Sequence, residues 1–140
     1  MSELSIVERS VEKTNVWLKQ VAEELGTEDR QHAYRALRAV LHTLRDRLPV
    51  DVAAKLAAQL PTLIRGIYYE EWDPSRTPLP IHEVEGFLDH VVREGRMAGE
   101  TEASLAVTAV MRVLREQVTP GAVEDALAVL PDKLKLLVAA

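Results

Sequence analysis

Four histidines, His32, His42, His82 and His90, are the side chains best suited to metal ligation or proton transfer, and their spacing limits what they can do. No two are four residues apart, so no helix face presents a histidine pair, and no HExxH occurs. His42 with Asp46, and His90 with Glu94, stand at i,i+4. Each pair is at most half a metal site and reads first as a solvated histidine beside a carboxylate. A di-iron bundle needs Glu-x-x-His, and no glutamate stands three residues before a histidine. Glu23, Glu24, Glu83 and Glu85 flank apolar stripes, so no carboxylate cluster for general acid–base work is expected. The serines Ser2, Ser5, Ser10, Ser75 and Ser104 occur in no G-x-S-x-G setting. The six glycines are isolated and form no phosphate loop. Without cysteine there is no thiolate nucleophile, cysteine zinc site or disulfide. The expectation is no catalytic, cofactor-binding or metal residues, hence no cofactor and no enzyme.

Binding chemistry leaves three candidates. Arg35, Arg38, His42 and Arg45 lie on one side of the second helix as a weak basic stripe that could meet phosphates. Arg115 alone repeats it in the second half, where Leu105 and Thr108 replace Arg35 and Arg38. The chain carries 17 basic and 22 acidic residues, a net charge of −5, which argues against nucleic acid. A solvated face, or one paired with acids of the first helix, is the first reading. Tyr68, Tyr69 and Trp72 gather half of the six aromatic residues into five positions. They read first as anchors of a neighbouring linker and second as a contact surface. Leu4, Ile6 and Val7 form the third candidate, an apolar extension of the first helix.

These residues must be carried by helices. Apolar residues make up 47% of 140, enough for a real core and against disorder. Alanine and leucine supply 36 residues, both strong helix formers, and no Asn-Gly or Asp-Gly turn occurs. The first helix is expected over Ser2–Leu25, with Leu4, Val7, Val11, Thr14, Leu18, Val21 and Leu25 inward and Gly26 as its stop. Thr27 is expected to cap a second helix ending before Pro49. A third runs over about Asp51–Gln59, and a fourth from Pro61, in its first turn, to about Glu71. Residues 72–80 form a proline-containing linker. A fifth helix is expected over Ile81–Glu94 and a sixth over Glu100–Val118. A seventh follows from the Thr119-Pro120 cap, and an eighth from Pro131.

Sliding the chain by 70 residues aligns its halves without a gap. Trp17 falls on Phe87, Val21 on Val91, Ala36 on Ala106, Val40 on Val110, Arg45 on Arg115 and Leu60-Pro61 on Leu130-Pro131. About a dozen aligned positions are identical. The expected fold is all-α: an internally duplicated helical bundle of about eight helices in two four-helix repeats sharing a core. It would be a single compact domain over 1–140. The first repeat covers about 11–71 with an extension at 2–10, and the second about 81–140. Each repeat of roughly 60 residues is marginal alone, so a shared core is expected.

The segment RALRAVLHTLRDRLP followed by LAAQLP resembles the bacterial family catalogued as domain of unknown function 2267. The residues that carry the resemblance are Ala33–Pro61, Ala103–Pro131 and Ile67–Pro74, and 96–99 depart from the pattern. The resemblance implies an all-helical bacterial cytoplasmic protein without an assigned activity or catalytic residues. The motifs are packing and capping motifs. Function is therefore expected to be that of a non-enzymatic interaction or scaffold module, binding a protein partner or itself as a homodimer. The alternative is a small-ligand sensor or carrier with an apolar pocket between the repeats. The charged start of the chain, the lack of cysteine and the lack of a run of about 20 apolar residues predict a cytoplasmic protein away from membranes.

Overall fold

The computed structural model describes residues 4–139. Among them are eight α-helices and no strand. The helices are α1 (Leu4–Leu25), α2 (Arg30–Arg47), α3 (Val50–Ala57), α4 (Thr62–Tyr69), α5 (Val84–Gly95), α6 (Glu100–Gln117), α7 (Pro120–Leu127) and α8 (Asp132–Ala139). A 3-10 turn at Pro74–Arg76 lies between α4 and α5. No helix among the described residues is long and apolar enough to cross a membrane.

The four longer helices form the centre. α1 and α5 each pack on both α2 and α6, and α2 meets α6. The short helices flank this centre, and α3 meets α7. Ala33, Ala36 and Ala39 on α2, with Ala103, Ala106 and Ala109 on α6, are buried and let the backbones approach. Around them Trp17, Leu37, Leu41, Leu44, Phe87, Val107, Met111 and Leu114 belong to one continuous apolar cluster.

Local chemistry sets the helix ends. α2 is capped by Asp29, not Thr27: the Asp29 carboxylate accepts from Gln31 N–H (2.9 Å) and His32 N–H (3.3 Å). Thr27 acts one step earlier, its hydroxyl accepting from Asp29 N–H. Leu48 is extended because Pro49 follows it. Pro61 takes the cap position of α4 with ψ 154°, outside the first turn. α5 begins at Val84, later than Ile81, because the chain before it is pinned extended on α2. Leu79 N–H donates to Asp46 O (2.7 Å), and Arg47 Nε donates to Ile81 O (2.5 Å).

The inward face of α1 differs most from expectation. Ser10, Trp17, Val21 and Ala22 are buried, whereas Leu4, Val7 and Val11 are exposed. The first turns of α1 outrun the helices able to cover that stripe. What meets the protein there is Ser10, whose hydroxyl accepts from Leu63 N–H (3.1 Å) and so caps α4 from another helix. The expected start at Ser2, and the part of the extension at residues 2 and 3, lie outside the described residues.

Candidate functional site

The helix pair α2 and α5 carries a polar seam inside the apolar bundle. Gly95 fits closely where the helices meet, since a Cβ there would stand 3.1 Å from Ala39 Cβ and 2.8 Å from Met97 Cε. Beside this contact, α2 presents His42, Thr43, Arg45 and Asp46 over the next two turns, and α5 presents Glu94, next to Gly95, and His90, one turn further back. The two i,i+4 pairs seen in the sequence therefore face each other. One ligand atom each from Asp46, His90 and Glu94 lies within 4.8 Å of the others. His42 Nδ1 stands 3.9 Å from Glu94 Oε1.

Hydrogen bonds fix the state of both imidazoles. His42 Nε2 donates to Ile67 O at 2.6 Å, because a carbonyl can only accept. Its other nitrogen, Nδ1, is buried with no hydrogen-bond partner. His90 Nδ1 lies 2.8 Å from Thr43 Oγ1, and the Thr43 hydroxyl already donates to Ala39 O at 2.8 Å. Thr43 has one proton to give, so His90 Nδ1 is the donor and Nε2 keeps a lone pair. Burial lowers the His42 pKa from its ordinary 6.5. The Ile67 carbonyl opposes this, Arg45 and Arg38 lower it further, and Glu94 opposes them. Burial likewise lowers His90, against the pull of Glu94 and Asp46.

Arg45 is the buried charge of the seam. Its Nε donates to Asp46 Oδ1 (2.7 Å), and its Nη1 donates to Tyr68 O and Glu70 O, both at 2.7 Å. It thus closes the C-terminal end of α4, where carbonyls lack helical partners. Arg38 reaches Glu70 (3.5 Å), Glu71 (3.3 Å) and Glu94 (3.9 Å).

The expected surfaces are redistributed. The basic stripe does not form a face for phosphates: His42 and Arg45 are buried and Arg35 is half-buried. Arg38 is paired with Glu70 and Glu71, which follow α4, and with Glu94 of α5, rather than with acids of the first helix. Tyr68 cannot serve as a contact surface. It is 0% exposed, and its hydroxyl donates to Ala53 O at 2.8 Å. Burial pushes its phenol pKa up. Tyr69 and Trp72 stack with ring centres 5.2 Å apart and pack, half-buried, against the core. The Trp72 Nε1 is buried without an acceptor. Leu4, Ile6 and Val7 are exposed at 72%, 57% and 61%.

The sequence missed the meeting of the two histidine–carboxylate pairs. The available signal was the shared spacing, His-x-x-x-Asp and His-x-x-x-Glu, on two helices that both needed an apolar partner. A comparison with curated proteins finds no match. The family model described as "Uncharacterized conserved protein (DUF2267)" matches residues 14–137, nearly the whole bundle, and the chain belongs to that family.

Proposed function

We propose that the chain is a duplicated, non-enzymatic helical module that assembles with a second copy of itself through the first turns of α1. Support for the duplication lies in the helix bounds. α6, α7 and α8 start and end 70 residues after α2, α3 and α4. Gly26 and Arg96, also 70 apart, both adopt left-handed backbone after a helix. Arg115 donates to Val138 O at 2.7 Å as Arg45 does to Tyr68 O. The two copies share one apolar cluster and act as a single unit.

The observation that carries the functional reading is the exposed apolar stripe on α1. α5 begins at Val84, the counterpart of Thr14, so Leu4–Lys13 has no equivalent in the second half. Leu4, Val7 and Val11 continue the face that Leu18 and Val21 present to the core, and they do so in the open. An apolar face that outruns its own bundle is best covered by a copy of itself, since a two-fold dimer satisfies both copies at once. The module is expected to work in the cytoplasm. Replacing Leu4 and Val7 together by glutamate tests the reading by light scattering at tens of micromolar. The expected outcome is a dimer that becomes a monomer with unchanged circular dichroism; a dimer that survives the change would contradict it.

A second reading is a small-ligand carrier. It is favoured by a groove of about 610 Å³ between α3 and α7, where Val52, Leu56, Ala122 and Ala126 meet Lys55 and Asp125.

A further inference from the structure

We propose that His42, Asp46, His90 and Glu94 form a binding site for one divalent first-row transition-metal ion between α2 and α5. The inference goes beyond the assembly reading and does not depend on it.

The first support is proximity. Ligand atoms of Asp46, His90 and Glu94 lie within 4.8 Å of one another, and His42 Nδ1 is 3.9 Å from Glu94 Oε1. Metal bonds to imidazole nitrogen and carboxylate oxygen are about 2.0–2.2 Å, so two atoms sharing an ion stand at most about 4.4 Å apart. The His42–Glu94 separation lies inside that limit; the ligand atoms of Asp46, His90 and Glu94, up to 4.8 Å apart, draw together with His42 Nδ1 to close on an ion.

The second support is independent of proximity. His42 is 0% exposed, its Nε2 proton is committed to Ile67 O, and Nδ1 has no hydrogen-bond partner. A buried lone pair facing a carboxylate oxygen is two acceptors face to face. Buried polar atoms are rarely left unmatched, and a cation between the two satisfies both.

The third support is that His42, His90 and Asp46 each have one atom held by a hydrogen bond and another to offer, and Glu94 has one oxygen beside a cation and the other beside His42. Ile67 O holds His42 Nε2 and leaves Nδ1. Thr43 holds His90 Nδ1 and leaves Nε2. Arg45 holds Asp46 Oδ1, leaving Oδ2, and Arg38 lies nearest Glu94 Oε2, while Oε1 faces His42. Metal-binding histidines are oriented in this way, by a hydrogen bond from the nitrogen that does not bind. Two imidazoles and two carboxylates suit zinc, manganese or iron(II), and the absence of thiolate disfavours copper(I). The cation would also join α2 to α5, the two halves of the chain.

The test uses the full chain, stripped with chelator and titrated with zinc chloride by calorimetry. Cobalt(II) is added separately, and its visible d–d absorption reports coordination. The expected result is one zinc per chain and a cobalt band of low-symmetry nitrogen–oxygen coordination. Glu94→Gln and His90→Gln should each weaken zinc at least tenfold with unchanged circular dichroism. Thr43→Val, which touches no metal, should weaken it about tenfold by freeing His90. No zinc uptake at millimolar metal, or uptake indifferent to all three variants, would overturn the proposal. Should one variant unfold, the cobalt band of the unmodified chain and the other two variants still decide it.

Discussion

Arg45 and the two seam histidines show what burial does to charge in this bundle. Arg45 is 1% exposed yet answers three acceptors. Replacing it by methionine keeps the volume and strands the Tyr68 and Glu70 carbonyls and the Asp46 carboxylate. The expected loss is about 3 kcal/mol in urea unfolding, as for other buried ionic groups deprived of a partner. Arg115→Met should cost less, because its side chain is more open and it answers Val138 O and Glu124. The histidines act in the opposite sense. Both have folded pKa values below 6.5, so the unfolded chain takes up protons first on acidification. Their stability contribution is intact above about pH 6.5 and is lost as pH falls through the lowered folded values. Each adds a slope of at most about 1.4 kcal/mol per pH unit. Urea unfolding between pH 5 and 8 with chelator present should show this loss, and His42→Gln should flatten it. An unchanged slope in the variant would contradict the assignment.

At the scale of the element, the helix ends carry measurable strain. Arg96 sits in left-handed backbone at φ 50°, as does Gly26, 70 residues earlier, at φ 70°. A side chain in that region costs about 1–2 kcal/mol, part of which glycine gives back through its freer unfolded chain. Arg96→Gly should therefore raise stability by about 1 kcal/mol. Gly26→Ala should lower it by about the same amount, from backbone strain alone, since a Cβ there meets nothing within 4 Å. Thermal melts of both variants check the pair of signs. The helices themselves were legible: leucine and alanine spacing, Pro49 and Pro61, and the Thr119-Pro120 pair placed eight elements within a few residues. What escaped was interaction between elements. Ser10 stands in the sequence only as a serine without a nucleophile motif, and its role shows once Leu63 N–H is seen against it. Asp29 outcompeted Thr27 as the cap because its carboxylate reaches two amides at once. The polar seam escaped for the same reason: the shared His-x-x-x-Asp and His-x-x-x-Glu spacing is visible, but no local rule says that α2 turns His42 and Asp46 toward His90 and Glu94.

At the scale of the whole molecule, the arrangement pairs a closed centre with an open arm. α2 and α6 are sheathed by α1, α5 and the short helices, and their apolar faces are satisfied within the chain. The first turns of α1 are not, and Leu4, Val7 and Val11 stay exposed, the surface on which the proposed dimer would form. A dimer built there would leave the seam between α2 and α5 untouched, so the proposed assembly and the proposed metal uptake can be tested separately. The most direct test of the central claim is sedimentation equilibrium of the full chain over a range of concentrations into the tens of micromolar. The account predicts a mass rising from that of one 15.6 kDa chain to that of two. A single-chain mass throughout that range would contradict it.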